Sequence, residues 1–196
     1  MKKGIFPIAA IIYVLILSSP ACSFEFGSSS TDIAMFRANP AHTGVYAGTG
    51  PKQLNELVWK FKTGDRVSSS PAVSEGIVYF GSADGYLYAL EVNTGQEQWK
   101  FKTDNFVYSS PAVSNGVVYF GSCDRYFYAL DINTGQEKWK FKTGGGVYSS
   151  PVVSDGVVYF GSWDGYLYAL DINTGQEQWK FGTTSEVTSC WNYWFF

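Results

Sequence analysis

The sequence predicts an all-β chain: a partial β-propeller of four-stranded antiparallel blades with a period of 40 residues, about three full blades plus fragments. Three observations predict it. The stretch Ala129-Leu130-Asp131-Ile132-Asn133-Thr134-Gly135-Gln136-Glu137-Lys138-Trp139 recurs almost unchanged as Ala89 to Trp99 and as Ala169 to Trp179, and with Trp59 the four tryptophans stand 40 residues apart. Each period holds four short apolar runs parted by Gly, Asn and Asp turn signals. Aromatic residues make up 18% of the chain and charged residues 16%, which suits a packed core rather than disorder.

Before the repeats, Met1-Lys2-Lys3 is a basic start and Ile5 to Leu17 an apolar run, followed by Ser18-Ser19-Pro20-Ala21-Cys22. Residues 1–22 read as an export signal, too short and wrongly flanked for an ordinary spanning helix. Two cleavages fit. One falls after Ala21 and leaves an ordinary secreted protein. The other makes Cys22 the lipid-carrying first residue of a lipoprotein. Leu17 to Cys22 resembles a lipobox, with Ser19 in place of its usual Leu and Pro20 as a further departure. Either cleavage places the mature chain outside the cytoplasm, in the envelope or on the outer surface. Residues 23–54 form a Gly/Ser tether and an extended lead-in, broken by Asn39-Pro40, Gly48, Gly50 and Pro51.

The repeats occupy 55–190, with blades at about 66–102, 106–142 and 146–182. In the second, Val107 to Val113 is a strand candidate containing Pro111, Val117 to Phe120 an unbroken β-branched run, Tyr126 to Leu130 a third strand, and Glu137 to Lys142 a fourth. Proline cannot donate to a ladder, so its strand lies at an edge, nearest the axis. The fourth strand alternates Trp139 and Phe141 with lysines, so it has one wet face and is the outer edge. The run Val117 to Phe120 is central. Gly95, Gly135 and Gly175 close the turn between strands three and four, and Asn115-Gly116 and Asp155-Gly156 are hairpin pairs between strands one and two. Ala89, Ala129 and Ala169 are small where a neighbouring tryptophan is expected to approach closely. Trp59 belongs to an outer strand, Leu57 to Lys62, with no blade of its own before it. After Phe181 the pattern runs to Ser189, then gives way at 191–196 to an aberrant Trp- and Phe-rich end. Truncation of a longer propeller, self-association of two arcs through their open blade ends, and a strained small ring all fit that end.

The Ala-to-Trp stretch resembles the tryptophan-docking repeat of quinoprotein-type (PQQ-like) β-propellers. Ser-Ser-Pro-Ala-Val…Gly-Val-Val-Tyr-Phe-Gly-Ser is similar to the rest of that repeat, and Met35 to Gly44 to the lead-in of these proteins. The resemblance covers about Trp59 to Phe181. It implies one of two activities. Lipidated, non-enzymatic BamB-like members imply a binding or assembly scaffold with envelope or cell-surface protein partners, and a lipid anchor at the membrane. The enzyme members imply a truncated fragment of a dehydrogenase that binds pyrroloquinoline quinone with calcium. A nonfunctional truncated product is a third reading.

The residues favour the scaffold. The adjacent cysteines of some alcohol-oxidising members are absent, since Cys22, Cys123 and Cys190 are far apart and follow no metal spacing. Asp84, Asp124 and Asp164 recur at the repeat period, as turn residues do. Asp131 to Glu137 lacks the acidic run of a calcium loop. His42, the one histidine, lies in the lead-in, so no Ser-His-Asp triad is expected. No cofactor, metal site or catalytic residue is predicted. With net charge −3 and lysines that repeat with the blades, no nucleic-acid partner is predicted either.

The second and third repeats differ at about nine positions, and the differences cluster. One group is Asp104-Asn105-Phe106 against Gly144-Gly145-Gly146, with Gly64-Asp65-Arg66 in the first copy. The other is Ala83, Cys123 and Trp163, with Gly85, Arg125 and Gly165. Following the strands up and down places both groups on one face, where loops on a rigid scaffold carry function. Arg66, Asn105, Phe106, Arg125 and Trp163 are the candidate contacts, Trp163 foremost as an exposed tryptophan in a turn. Drift at tolerant surface turns is the alternative.

Overall fold

The structure, a computed structural model, describes residues 57–187. The export segment with Cys22, residues 23–54, Cys190 and the 191–196 end lie outside the described residues.

Among the described residues, twelve strands form three four-stranded antiparallel sheets. Blade 1 is β1 (Ala72–Ser74), β2 (Ile77–Gly81), β3 (Tyr86–Glu91) and β4 (Glu97–Lys102), hydrogen-bonded in that order. Blade 2 is β5 (Ala112–Ser114), β6 (Val117–Gly121), β7 (Tyr126–Asp131) and β8 (Glu137–Lys142). Blade 3 is β9 (Val152–Ser154), β10 (Val157–Gly161), β11 (Tyr166–Asp171) and β12 (Glu177–Gly182). The inner strand β5 neighbours both β1 and β9, while β1 and β9 do not meet, so the described residues form an open arc of three blades. This is the partial propeller the period predicts.

Each strand sits where its residues require. β6 is apolar throughout and buried along its whole length. β8 alternates exposed Lys with half-buried Trp139 and Phe141, the pattern of an edge with one wet face. Asn115 and Gly116 both take positive φ, 52° and 72°, which a two-residue hairpin needs to match the twist of its strands.

Two expected strands are corrected. Val107 to Pro111 does not join its sheet, and β5 begins only at Ala112. Pro111 has no N–H to give, and the serines before it bond around the axis instead. The Ser109 hydroxyl donates to the Ser149 carbonyl at 2.8 Å, and the Ser70 amide donates to the Ser110 hydroxyl at 2.8 Å. Leu57 to Lys62, expected as an outer strand, has no ladder, because no strand among the described residues lies beside it. Among the described residues its contacts come from side chains. Trp59 donates to the Val92 carbonyl at 2.9 Å, and the Phe61 ring packs edge-on to Tyr88 at 5.4 Å.

The core lies between blades rather than within them. One cluster joins Tyr79 and Leu87 of blade 1 to Val118, Phe120 and Leu130 of blade 2. The other joins Tyr119 and Phe127 of blade 2 to Val158, Phe160 and Leu170 of blade 3. Phe127 and Phe160 stack in parallel at 3.9 Å. Each fully buried side chain of this size contributes roughly 1.5–3 kcal/mol, so a blade depends on its neighbour for most of its stability.

The fastening between blades repeats with the sequence. Trp99 donates from Nε1 to the Ile132 carbonyl and Trp139 to the Ile172 carbonyl, both at 3.0 Å. The ring of each tryptophan lies flat on the turn glycine of the next blade. A Cβ built on Gly95, Gly135 or Gly175 would meet Trp59, Trp99 or Trp139 at 2.6, 2.7 and 2.6 Å. Ala89, Ala129 and Ala169 are fully buried, each opposite the tryptophan of its own blade (Trp99, Trp139 and Trp179) in the ladder.

Candidate functional site

Backbone hydrogen bonds sort the loops onto two faces. On one, the Ile132 amide donates to the Gly116 carbonyl at 3.0 Å and Ile172 to Gly156 at 3.1 Å, which ties the nearly constant turns together. On the other, the β2–β3-type turn meets the segment entering the inner strand. Ala83 donates to the Arg66 carbonyl, Cys123 to Phe106 and Trp163 to Gly146, at 2.9, 2.9 and 3.0 Å. The two clusters of loop residues that differ between repeats therefore share one face.

That face is built on three aspartates. Asp84 Oδ2 accepts from the Gly64 amide at 2.7 Å and from the Tyr88 hydroxyl at 2.7 Å, while Oδ1 accepts from the Tyr86 amide at 3.1 Å. Asp124 and Asp164 repeat the arrangement with Asp104 and Tyr128, and with Gly144 and Tyr168. Burial pushes the Asp84 carboxyl up, but the bonds from Tyr88, Gly64, Ser82 and Tyr86 together hold it below its ordinary value. Burial and the aspartate partner push the hydroxyls of Tyr88, Tyr128 and Tyr168 above theirs. The three carboxylates act as acceptors that hold loops in place.

Above them lies a run of stacked rings. Phe106 packs on Tyr108 at 5.4 Å, Tyr108 stacks on Tyr148 of the next blade at 6.1 Å, and Tyr148 stacks on Trp163 at 3.9 Å. Arg66 caps the run: its Nη2 donates to the Tyr108 hydroxyl at 2.9 Å and its guanidinium sits 5.7 Å from that ring's centre. Phe106 and Trp163 remain 44% and 43% exposed, large apolar faces open to a partner. Burial and the Cys123 thiol push the Tyr148 hydroxyl above its ordinary range, so it stays neutral.

Of the five candidate contacts, Arg66, Phe106 and Trp163 are brought together. Asn105 and Arg125 line the same loops outside the stack. The Asn105 side chain accepts from the Phe106 amide at 2.8 Å, which sets the turn that presents Phe106. Arg125 takes φ 76° where blades 1 and 3 have Gly85 and Gly165, both at φ 83°. Sequence reasoning missed Tyr108 and Tyr148, the middle of the stack. Their signal was present, since the position reads Ser68 in the first repeat and Tyr in the next two.

The differences between repeats are coupled. A Cβ on Gly145 would stand 2.6 Å from the Asp164 amide and 2.7 Å from the Trp163 carbonyl carbon, and one on Gly146 would meet the Tyr148 ring at 2.7 Å. The glycines of one loop make room for the stacked pair of Tyr148 and Trp163. Phe106 occurs where the facing turn carries the smaller Cys123.

A family model described as outer membrane protein assembly factor BamB matches residues 52–189, more than half of the chain. The chain belongs to that family of PQQ-like repeat proteins. Comparison with curated protein sequences finds no match. Among solved structures, this BamB-family chain is similar to a computationally designed protein, Ika4, at 27% identity and a TM-score of 0.63, over 69% of this chain and 85% of that one. BamB from Moraxella catarrhalis shares the fold at 24% identity and a TM-score of 0.58, over 64% of this chain and 40% of that one. The quinohemoprotein alcohol dehydrogenase ADHIIG from Pseudomonas putida HK5 matches at 27% identity and a TM-score of 0.58, over 63% of this chain and 22% of that one. The chain thus spans about two fifths of the BamB structure and about a fifth of the dehydrogenase.

A quinone with calcium, the expectation from the enzyme-type resemblance, would have to share the loop face with the three aspartates. The repeated aspartates already accept from backbone amides and tyrosine hydroxyls. Among the described residues, no three His, Cys, Asp or Glu side chains gather around one point. A cation there would have to displace the bonds that hold the loops.

Proposed function

We propose that this BamB-family chain is a non-catalytic binding scaffold of the cell envelope that takes a partner protein on its loop face. One observation carries the reading: the stack of Phe106, Tyr108, Tyr148 and Trp163, capped by Arg66, on the face where the repeats differ. Exposed aromatic and arginine side chains held rigid by their neighbours are the residue types that dominate protein interfaces. Trp163 is already fixed by Tyr148, so little side-chain entropy is lost when a partner covers it. The family's printed description, an outer membrane protein assembly factor, supports a role in bringing envelope proteins together. Export through residues 1–22 and a lipid on Cys22 would hold the scaffold at the membrane, with residues 23–32 as the tether.

The test is capture of envelope proteins by the tagged chain, compared with a Phe106→Ala/Trp163→Ala variant of unchanged circular dichroism. The wild type should retain a defined set of proteins and the variant should lose most of it. Equal capture by both would remove the loop face from the reading. The runner-up, a fragment of a quinone-dependent dehydrogenase, has in its favour the 27% identity to ADHIIG. Saturable quinone binding in calcium with dye-linked alcohol oxidation would establish it instead.

A further inference from the structure

We propose that Arg125 and Lys142, at one corner of blade 2, form a carboxylate-recognising subsite of the loop face, and that the partner segment taken there is acidic. Its carboxylates meet these two cations while its apolar residues cover Phe106 and Trp163. The inference rests on the loop-face reading and names the chemistry of the partner.

Two positions vary together between the blades. Blade 1 has Gly85 and Lys102, blade 2 has Arg125 and Lys142, and blade 3 has Gly165 and Gly182. The ladder makes them neighbours. Tyr126 pairs with Lys142, as Tyr86 does with Lys102 and Tyr166 with Gly182, so the turn residue lies one step from the lysine position. The next step holds too, since the Thr143 amide and hydroxyl both donate to the Arg125 carbonyl at 2.9 Å.

In blade 1 the lysine folds back over its glycine. Lys102 Nζ donates to the Asp84 carbonyl at 2.7 Å and stands 4.3 Å from the centre of the Tyr86 ring. It does so through the space a side chain at Gly85 would need, because a Cβ there would stand 2.8 Å from Nζ. Arg125 fills that space in blade 2. Lys142 Nζ lies 6.0 Å from the Tyr126 ring centre and has no such carbonyl bond. Both side chains are exposed, and neither makes a hydrogen bond or ion pair with another described residue.

The carboxylates nearby are engaged or out of reach. Asp124 accepts from the Tyr126 and Asp104 amides and the Tyr128 hydroxyl, Glu137 pairs with Lys140 at 3.3 Å, and Asp131 stands 3.8 Å from Lys138. Asp104 forms no ion pair with either cation. Arg125 meanwhile holds φ 76°, a conformation costly for a residue with a side chain, and no internal bond of that side chain offsets it. A guanidinium is shaped for a carboxylate, which it can bind through two parallel hydrogen bonds.

The occupant is a segment of a protein rather than an anionic membrane. Asp65, Asp84, Asp104, Asp124 and Asp164 surround the two cations on this face, so a broad negative surface would be repelled where a narrow one fits. The corner also runs into the ring stack. The Cys123 amide donates to the Phe106 carbonyl, and the Thr143 hydroxyl that bonds Arg125 also reaches the Gly145 carbonyl, in the loop packed against Trp163.

Fluorescence anisotropy with two labelled synthetic peptides tests the proposal on the full chain. One peptide alternates glutamate with phenylalanine, and the other has every glutamate replaced by glutamine. The glutamate peptide should bind about fivefold more tightly at low salt, and its advantage should shrink as salt rises. Arg125→Gly/Lys142→Gln should abolish that advantage while keeping its circular dichroism, since glycine stands at this turn in the other two blades. Lys138→Gln removes one charge from the same strand and should leave the advantage unchanged. Equal binding of the two peptides, binding of neither, or an equal loss in Lys138→Gln would overturn the proposal. So would phosphatidylglycerol vesicles that retain the wild type, but not the double variant, in place of the glutamate peptide. Equal binding of both peptides would leave the loop-face reading standing, because that reading is tested separately by the Phe106→Ala/Trp163→Ala capture.

Discussion

Gly135 lies flat beneath the indole of Trp99, so close that a Cβ at Gly135 would stand 2.7 Å from the ring. Gly175 stands in the same relation to Trp139, and both glycines also hold positive φ. Gly156 has positive φ too, yet nothing lies within 4 Å of its would-be Cβ. Alanine at Gly156 should therefore cost only the backbone term, about 1 kcal/mol. Alanine at Gly175 adds a clash that must lift Trp139 off its blade, roughly 2–5 kcal/mol in total. Urea unfolding of the two variants side by side measures the difference, and equal losses would refute the cradle.

The tryptophans should likewise divide by position. Trp139 is partly buried against blade 3 and donates to Ile172, whereas Trp179 is 45% exposed. Trp139→Ala should cost about 3 kcal/mol, at the low end for a large aromatic residue because the ring keeps one wet edge. Trp179→Ala should cost less than about 1 kcal/mol. Urea unfolding of the two variants side by side makes the comparison.

Arg125 offers a stabilising substitution. It holds φ 76° in a turn where the other two blades use glycine. Arg125→Gly should relieve that strain and raise stability by about 1 kcal/mol. If Arg125 is kept for a partner on the loop face, the same variant should bind more weakly while melting higher. Thermal melts and partner capture on one preparation report both.

The acid limb of stability should come from the constant turns. The Thr94 hydroxyl and the Asn93 and Thr94 amides hold Glu91 down to about 2, below its ordinary 4.5. Asp131 is lowered by the Thr134 hydroxyl and amide, and Asp171 by the Thr174 amide and hydroxyl. A carboxyl lowered in the fold contributes fully above its unfolded pKa and loses that contribution as pH falls through the folded value. For Glu91 the window runs from 4.5 down to about 2. Glu91→Gln/Asp131→Asn/Asp171→Asn should be less stable at neutral pH and show a flatter acid slope. An unchanged slope would place the acid sensitivity elsewhere.

The alkaline limb has the opposite sign. Burial first, and the Asp171 charge second, push the Tyr119 hydroxyl from 10.0 to about 12. Its contribution is complete below pH 10.0 and lost as pH rises toward about 12. Tyr119→Phe should blunt that loss in an alkaline titration followed by circular dichroism.

Much of the fold was legible because its causes are local. The Asn115-Gly116 pair, the alternation of β8 and the all-apolar β6 each announce a strand or turn within a few residues. The inner segment before Pro111 was misread because its partners are not local. Ser109 and Ser110 bond to serines 40 residues away, in the next blade, and no strand pattern records that. The candidate site was half legible for a related reason. Comparing repeats finds residues that differ, which picked out Arg66, Phe106 and Trp163. Tyr108 and Tyr148 match each other, so the comparison treated them as scaffold. Only their stacking across the blade boundary joins the variable residues into one surface.

The repeated fastening leaves the chain with no address labels. The turn of Ile172 and Gly175 would hold Trp99 by the same bond and the same flat contact as the turn of Ile132 and Gly135 does, with the middle blade looped out. Loop closure discriminates feebly, since doubling a loop costs only about 0.6 kcal/mol. Near-identical neighbours are for that reason prone to misassembly. What remains is time. In a chain that emerges N-terminus first, Trp99 meets Gly135 before Gly175 has appeared, so the order of emergence selects the correct neighbour where the contact chemistry cannot.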